Sequence, residues 1–545
     1  MPSKLRRWLL MAATIGAVAV LVVACGDDSE NSNDTGSPGS ATTSATPDTS
    51  PKGTLRIATS PPDYATIAPQ DTSSQGNWLR QQTLDALVHV AVDEKGVRFE
   101  PQLAESWTEE PGKTTFKLRQ GVQFHKGMGE FTCADAVFSI GLSTAESAVS
   151  AANMQNLKNF KAKWSCSDNY TLVIEHLPTY RDLKFDLSDW RYAEIQSKKY
   201  YETAGTDTAR KILVGTGSFE MVSLDATGMK FKAVANHWQK TPEFAGLDWK
   251  FIPEASTRLA ALEAGEVDIV ELPISSAPQV QKNSNFGVAQ PTFPVNFTVG
   301  MWGGFVYDSR PSYDPKNPFL DKRVREALNL SINRSQLIEK VLYGRAKELK
   351  NSAYFWEGTP GYVPELKAYP FDVERAKRLL SEAGYSSGLT IKVIDTGELR
   401  SGVPIRDVAD ALSVYWKQLN VTVQVVQMDQ ATLNSLRRAR DAQLNGAVFF
   451  LDATNRPIAA PSGLYGSKTV ATFGERKDFD DLIDKFTATG EDSLTKQLNR
   501  TAWEDFMSIP LVSAAPIAAF SKSTVAAYPL TFYAGLQDLE YVKRK

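Results

Sequence analysis

From about residue 54 onward, apolar residues recur at spacings of three and four in some stretches and at every second position in others. In DVERAKRLLSEAG (372–384), Val373, Ala376, Leu379, Leu380 and Ala383 form one stripe. Asp372 is placed to cap the first turn and Gly384 stands just past the end, which predicts an amphipathic helix. LTIKVID (389–395) follows with strand-like alternation. IRDVADALSVYWKQL (405–419) then returns to the helical stripe through Ile405, Val408, Ala409, Leu412, Trp416 and Leu419, and VTVQVVQ (421–427) reads as the next strand. Strand, helix and strand in this order predict a right-handed crossover in a sheet with helices on its faces, an α/β fold. STRLAALEAG (256–265) ahead of EVDIVELP has the same make-up, and Asn333 with Gln336 predicts a capping box opening RSQLIEKVLYG. The stretch from about 91 to 205 is richer in strands and reads as an insertion.

The first 53 residues follow neither period. Lys4, Arg6 and Arg7 precede an apolar run from Leu9 to Ala24, shorter than the roughly 20 residues of a membrane-spanning helix. That is the layout of a signal peptide. Val22-Val23-Ala24-Cys25 resembles the lipobox of bacterial lipoproteins, which implies cleavage before Cys25 and lipidation of that cysteine. Acyl chains there would hold the chain at the outer face of the cell membrane, each buried methylene contributing about 0.8 kcal/mol. Between Gly26 and Gly53 there is no aromatic residue and no Val, Ile, Leu or Met. Such a segment cannot bury enough apolar surface to offset its ordering entropy. Residues 1–24 are therefore expected to be a leader and 25–53 a tether.

Charge narrows the partners. The formal net charge is −3, and loss of the leader cations makes the remainder more acidic. Both signs are interspersed, so no basic face exists for phosphate backbones and nucleic acid is not an expected partner. Beyond the leader no run of 18 or more apolar residues occurs. Apart from Cys25, the cysteines are Cys133 and Cys166. Outside the cytoplasm such a pair is a disulfide candidate, the alternative being two separately buried thiols.

Catalytic signatures are sparse. His89, His125, His176 and His237 stand far apart and in no metal-ligand spacing. GTGSF (215–219) lacks the Lys-Ser/Thr of a phosphate loop and reads as a turn, and no G-x-S-x-G elbow occurs. No enzyme activity, cofactor or metal is expected.

FEPQLAESWTEEPGKTTFKLRQGVQFHKGMGEFTCADAVFSI (99–140) resembles the signature of the extracellular solute-binding proteins of peptide-type ABC importers, with its LAESW block, its K-L-R-x-G-V-x-F-H turn and the helix-opening Thr132 and Asp135. VGTGSFEMV, NHWQKTPEFAGLDWKFIPEASTRLAALEAGEVDIV, DKRVREALNLSINRSQLIEKVLYG, YPFDVERAKRLLSEAGY, VADALSVYWKQLNVTVQVV and FDDLIDKFTATGEDSLTKQLNRTAWEDFMSIPLV follow in the family's order. The likeness spans nearly everything from Thr54 to the end.

The resemblance implies a two-lobed, periplasmic-binding-protein-like α/β fold of three domains, the type II or Venus flytrap arrangement. Carried over, a first domain takes 54–90, 206–296 and 516–545, an inserted second domain 91–205, and the second lobe 297–515. The protein would be a monomer that captures a small solute, most commonly a peptide, between its lobes and delivers it to ABC permease subunits. Oligosaccharides, haem, nickel and opine-like compounds occur on the same scaffold, and sparse histidine disfavours nickel. A signalling or adhesion lipoprotein derived from such a receptor, or a cell-envelope hydrolase, are the other functions considered.

In family members a loop of the second lobe carries an Asp that pairs with a peptide's α-amino group. The matching stretch, GAVFFLDATNRP (446–457), puts Asp452 in that place, with Arg456 where the family commonly has an acidic residue before Pro. Trp302, beside Gly303 and Gly304 in the crossing segment, is expected to offer a stacking face to ligand. Tyr64 in SPPDYATIAPQ and Trp356 in YFWEGTPGY are the other aromatic candidates.

Overall fold

A computed structural model describes residues 50–62, 66–72, 77–93, 96–152, 154–181, 183–189, 192–291, 296–352, 355, 361–399, 401–454, 467, 475–530 and 536–545. The expected leader, the lipidation site at Cys25 and nearly all of the tether lie outside the described residues. No helix among the described residues is long and apolar enough to cross a membrane.

The alternating stretches build three main sheets. Seven strands form the first, in the order Phe286–Ala289, Ile517–Ser521, Ile269–Leu272, Thr54–Thr59, Gly246–Phe251, Gly228–Ala233 and Phe219–Asp225. Thr54–Thr59 lies parallel to both of its neighbours. It is buried on both faces, Leu55 and Ile57 packing into one apolar cluster and Ala58 into another, as a central parallel strand requires.

Six strands form the second sheet: Ala346–Glu348, Ser508–Ala514, Asn296–Trp302, Ala447–Thr454, Leu389–Asp395 and Val421–Gln427. Leu389–Asp395 pairs in parallel with Val421–Gln427, and the helix Ile405–Lys417 lies between them in sequence. Ile405, Val408, Ala409, Leu412 and Trp416 are all fully buried against this sheet's core. Asp372 accepts from Arg375 N at 2.9 Å and opens the helix Val373–Glu382. At the helix after Asn333 only half of the expected box forms, Asn333 Oδ1 accepting from Gln336 N at 2.9 Å. The reciprocal box stands instead at Thr132 and Asp135.

A four-stranded antiparallel sheet, ordered Ala104–Glu110, Lys113–Leu118, Thr171–Glu175 and Lys163–Asp168, occupies the strand-rich stretch. A hairpin of Val88–Asp93 and Gly96–Pro101 stands beside it in sequence, so the domain boundary expected at residue 90 falls inside a strand. Cys133, at the first position of the helix Cys133–Thr144, is disulfide-bonded to Cys166 on Lys163–Asp168. With the cysteines 33 residues apart, the closed loop restricts the unfolded chain by about 3–4 kcal/mol. Replacing both cysteines by alanine is therefore expected to lower the thermal midpoint, and an unchanged midpoint in a melting scan would contradict this.

A fully buried ionic joint ties the strand-rich stretch to the first sheet's segments. Arg80 and Glu194 are both fully buried, with Arg80 Nε donating to Glu194 Oε1 at 2.6 Å. Arg80 also donates to Thr72 Oγ1 at 3.0 Å and lies over the Tyr192 ring. The GTGSF stretch is a bend, as expected. A Cβ at Gly215 or Gly217 would collide with the backbone of residues 82–84, so these glycines serve close chain approach.

Candidate functional site

The chain passes between the first and second sheets twice, from Phe286–Ala289 into Asn296–Trp302 and from Ser508–Ala514 back into Ile517–Ser521. Asp452 and the groups that hold it lie near these crossings. Asp452, near the end of Ala447–Thr454, lies opposite Thr298 in an antiparallel pair. Thr298 is fully buried and donates its hydroxyl to Asp452 Oδ1 at 3.1 Å. Ser401, equally buried, donates its backbone N–H to Asp452 Oδ2 at 2.6 Å and shares a 3.0 Å hydroxyl contact with Thr298. Strand and loop thus fix a carboxylate that stays partly open to solvent.

Ser401 belongs to the turn that follows Leu389–Asp395. Gly397 N donates to Asp395 Oδ1 at 2.8 Å and Ile405 N to Gly397 O at 2.9 Å, closing the turn on itself. Gly402 has φ +71°, and a Cβ there would stand 2.7 Å from Pro516 Cα on the returning crossing. Its carbonyl accepts from Ile274 N of the first lobe at 3.2 Å, while the Ile274 side chain is buried in the second lobe's core. A second contact between the lobes joins Thr179 Oγ1 to Thr487 O at 3.2 Å.

Glu398, in the same turn, is exposed, yet the protein around it pushes its carboxyl up to about 7. Burial by its surroundings is the main cause, Glu271 of the first lobe and Asp452 add to it, and Arg258 opposes them. Arg258 is spent on backbone, donating to the carbonyls of Glu271, Ile252 and Pro253. Carboxylates from both lobes therefore face one region, an arrangement that attracts a cationic group.

Contrary to the expectation from sequence, Trp302 does not join this region. It is 1% exposed, packs against Phe319 and donates Nε1–H to Phe506 O at 2.8 Å. Gly303 and Gly304 leave no room for a ligand, since a Cβ on either would strike Leu444 or Asn445. Tyr64, Trp356 and Arg456 lie outside the described residues. Glu271, Glu398, Ser401 and Thr298 were not read as site residues from sequence. For Glu398 and Ser401 a signal was present, a glycine-containing turn after a strand that pairs in parallel on both sides, where ligands collect in open α/β sheets. No group of three His, Cys, Asp or Glu side chains among the described residues is placed to hold a metal ion.

Two α/β lobes joined by two crossings, with polar groups of both lobes meeting between them, define the two-lobed fold of periplasmic binding proteins. The sequence profile of the bacterial extracellular solute-binding proteins, family 5, matches residues 98–471, and the chain belongs to that family. It is 26% identical over 463 residues to a dipeptide-binding protein of Escherichia coli, covering 78% of this chain and 81% of that one. It is also 26% identical over 427 residues to heme-binding protein A of Haemophilus influenzae, covering 71% and 73%. Among solved structures, the ABC transporter-associated periplasmic binding protein DppA of Helicobacter pylori, in complex with the peptide STSA, superposes with a TM-score of 0.69 at 19% identity, over 91% of this chain and 99% of that one.

Proposed function

We propose that this chain is a lipid-anchored receptor that closes over a peptide, or a related small solute with an amino or other cationic end, and presents it to an ABC importer. The observation that carries the ligand assignment is the carboxylate of Asp452, held by Thr298 and Ser401, with Glu398 sensing both it and Glu271 of the other lobe. The dipeptide-binding relative and the peptide-bound neighbour support a peptide. The heme-binding relative favours a non-peptide solute as the second reading. A ligand bound by groups of both lobes shifts the population toward the closed form, and the importer reads that form. The three-domain division, the tether and lipidated Cys25 complete this reading, with the anchor keeping a monomeric receptor beside its permease.

The decisive experiment is purification from the native host with mass spectrometry of the co-purifying molecule. An amine-bearing peptide or solute is expected; an anionic or chemically altered cargo would overturn the reading. Mass spectrometry of the N-terminus is expected to show a lipidated Cys25, and a retained Met1 would remove the anchor. Glu398 gives the binding a pH signature. Its carboxyl is largely protonated below about 7, and the groups bearing on it are Glu271, Asp452 and Arg258. Affinity for a cationic ligand is therefore expected to rise as pH increases toward 7 and to level off above it. Calorimetry of Glu398→Gln should show a flatter profile.

A further inference from the structure

The contact of Thr179 with Thr487 shares no residue with the group that holds Asp452. Thr179 is the third residue of a tight turn, 177–180, in which Tyr180 N donates to Leu177 O at 2.9 Å and Pro178 fixes the second position. The turn is braced from behind. Leu177 N donates to Phe160 O at 2.8 Å, the Tyr180 ring stacks on Phe160 with centroids 4.6 Å apart, and the Tyr180 hydroxyl donates to Asp186 Oδ2 at 2.7 Å. The buried pair of Arg80 and Glu194 ties this stretch to the first sheet's segments, so Thr179 travels with the first lobe.

On the second lobe, Thr487 lies in the last turn of the helix Lys477–Thr489, which ends on Gly490 at φ +67°. Gly490 N donates to Phe486 O at 2.7 Å, and the Thr487 hydroxyl is turned back on Ile483 O at 2.8 Å. The Thr487 carbonyl belongs to the set that a helix leaves without an internal partner and that carries the negative end of its dipole. No lysine or arginine stands in this last turn to offset it. The other lobe brings both a donor and a cation. Thr179 Oγ1 donates to Thr487 O at 3.2 Å. Arg181, exposed and two residues on, puts Nε 3.5 Å from the point where a Cβ on Gly490 would lie, and Thr179 Cβ is 3.4 Å from the same point.

We infer that the turn at 177–180 and Arg181 form a latch, which grips the carbonyl end of the helix Lys477–Thr489 and draws the lobes together whether or not cargo is present. The inference rests on the reading that the lobes close over a solute. Cargo then meets a population in which some molecules are already shut, and the latch raises affinity for any cargo without touching it. Thr179 and Arg181 act as positioning residues.

The test is pulsed electron–electron resonance on the full chain, freed of any cargo in denaturant and refolded. Encoded spin-labelled residues replace the exposed Lys163 of the first lobe and Lys485 of the second, which leaves the disulfide intact. The distance distribution is expected to include the separation found in this structure. Its share relative to longer separations is expected to fall about threefold in Thr179→Val and in Arg181→Ala, and about tenfold in the double variant. Thr179→Ser keeps the hydroxyl and should hold the parent value. Melting midpoints are expected to match the parent throughout, since Thr179 is half-buried and Arg181 exposed. The proposal is overturned by the absence of that separation in the empty parent chain, by an unchanged share in the double variant, by equal losses in Thr179→Ser and Thr179→Val, or by a loss that comes only with a lowered midpoint. No cargo enters the measurement, so an anionic cargo would overturn the proposed ligand and leave the latch standing.

Discussion

Asp452→Asn is expected to weaken binding of the co-purifying ligand by about 3 kcal/mol, roughly 100-fold, the scale of losing one partner from a desolvated, hydrogen-bonded charge pair. Asparagine keeps the shape of the side chain, so an oxygen can still accept from Ser401 N and the amide can still reach Thr298 Oγ1, groups that hold the carboxylate at 2.6 and 3.1 Å. What disappears is the charge. Calorimetry with the ligand and with its N-acetylated form completes a cycle in which each change removes the same contact. Acetylation should weaken binding to the parent chain strongly and to Asp452→Asn little. Equal loss in both backgrounds would mean that Asp452 braces the turn of Ser401 and does not meet the ligand.

Arg80→Met is expected to destabilise the protein by about 3–5 kcal/mol, because it strands the Glu194 carboxylate in a fully buried place. Burial already pushes that carboxyl up to about 7 against the pull of Arg80, and Glu194 Oε2 has no hydrogen-bond partner. In a melting experiment this corresponds to a midpoint lower by about 3–5 °C. The double variant Arg80→Met/Glu194→Gln leaves neither ion buried and should recover most of the loss. Its failure to recover would show that the guanidinium matters through Thr72 and Tyr192 more than through the ion pair.

Local order in the second lobe was legible in the sequence because it is set by neighbours along the chain. The stripe from Ile405 to Trp416 is the buried face of one helix, and Asp372 caps another. Trp302 was misread because alternation tells which face of a strand a residue occupies and says nothing of depth. Thr298, Gly300 and Trp302 share a face, yet four residues of strand separate Thr298 from Trp302 by roughly 13 Å. That distance takes the indole from Asp452 to the core around Phe319. The hold on Asp452 was not legible either. Thr298, Ser401 and Asp452 come from three segments, with Thr298 103 residues from Ser401 and 154 from Asp452, and only the sheet pairing and the turn after Asp395 bring them together.

The order of the seven-stranded sheet bears on how the chain matures. Ile517–Ser521 sits between Ile269–Leu272 and Phe286–Ala289 and pairs with both. A chain emerging N-terminus first can therefore assemble the second lobe while Phe286–Ala289 still lacks its link to the sheet begun by Thr54. The half of the molecule that is started earliest is finished last, when its final edge is threaded home by residues near the far terminus.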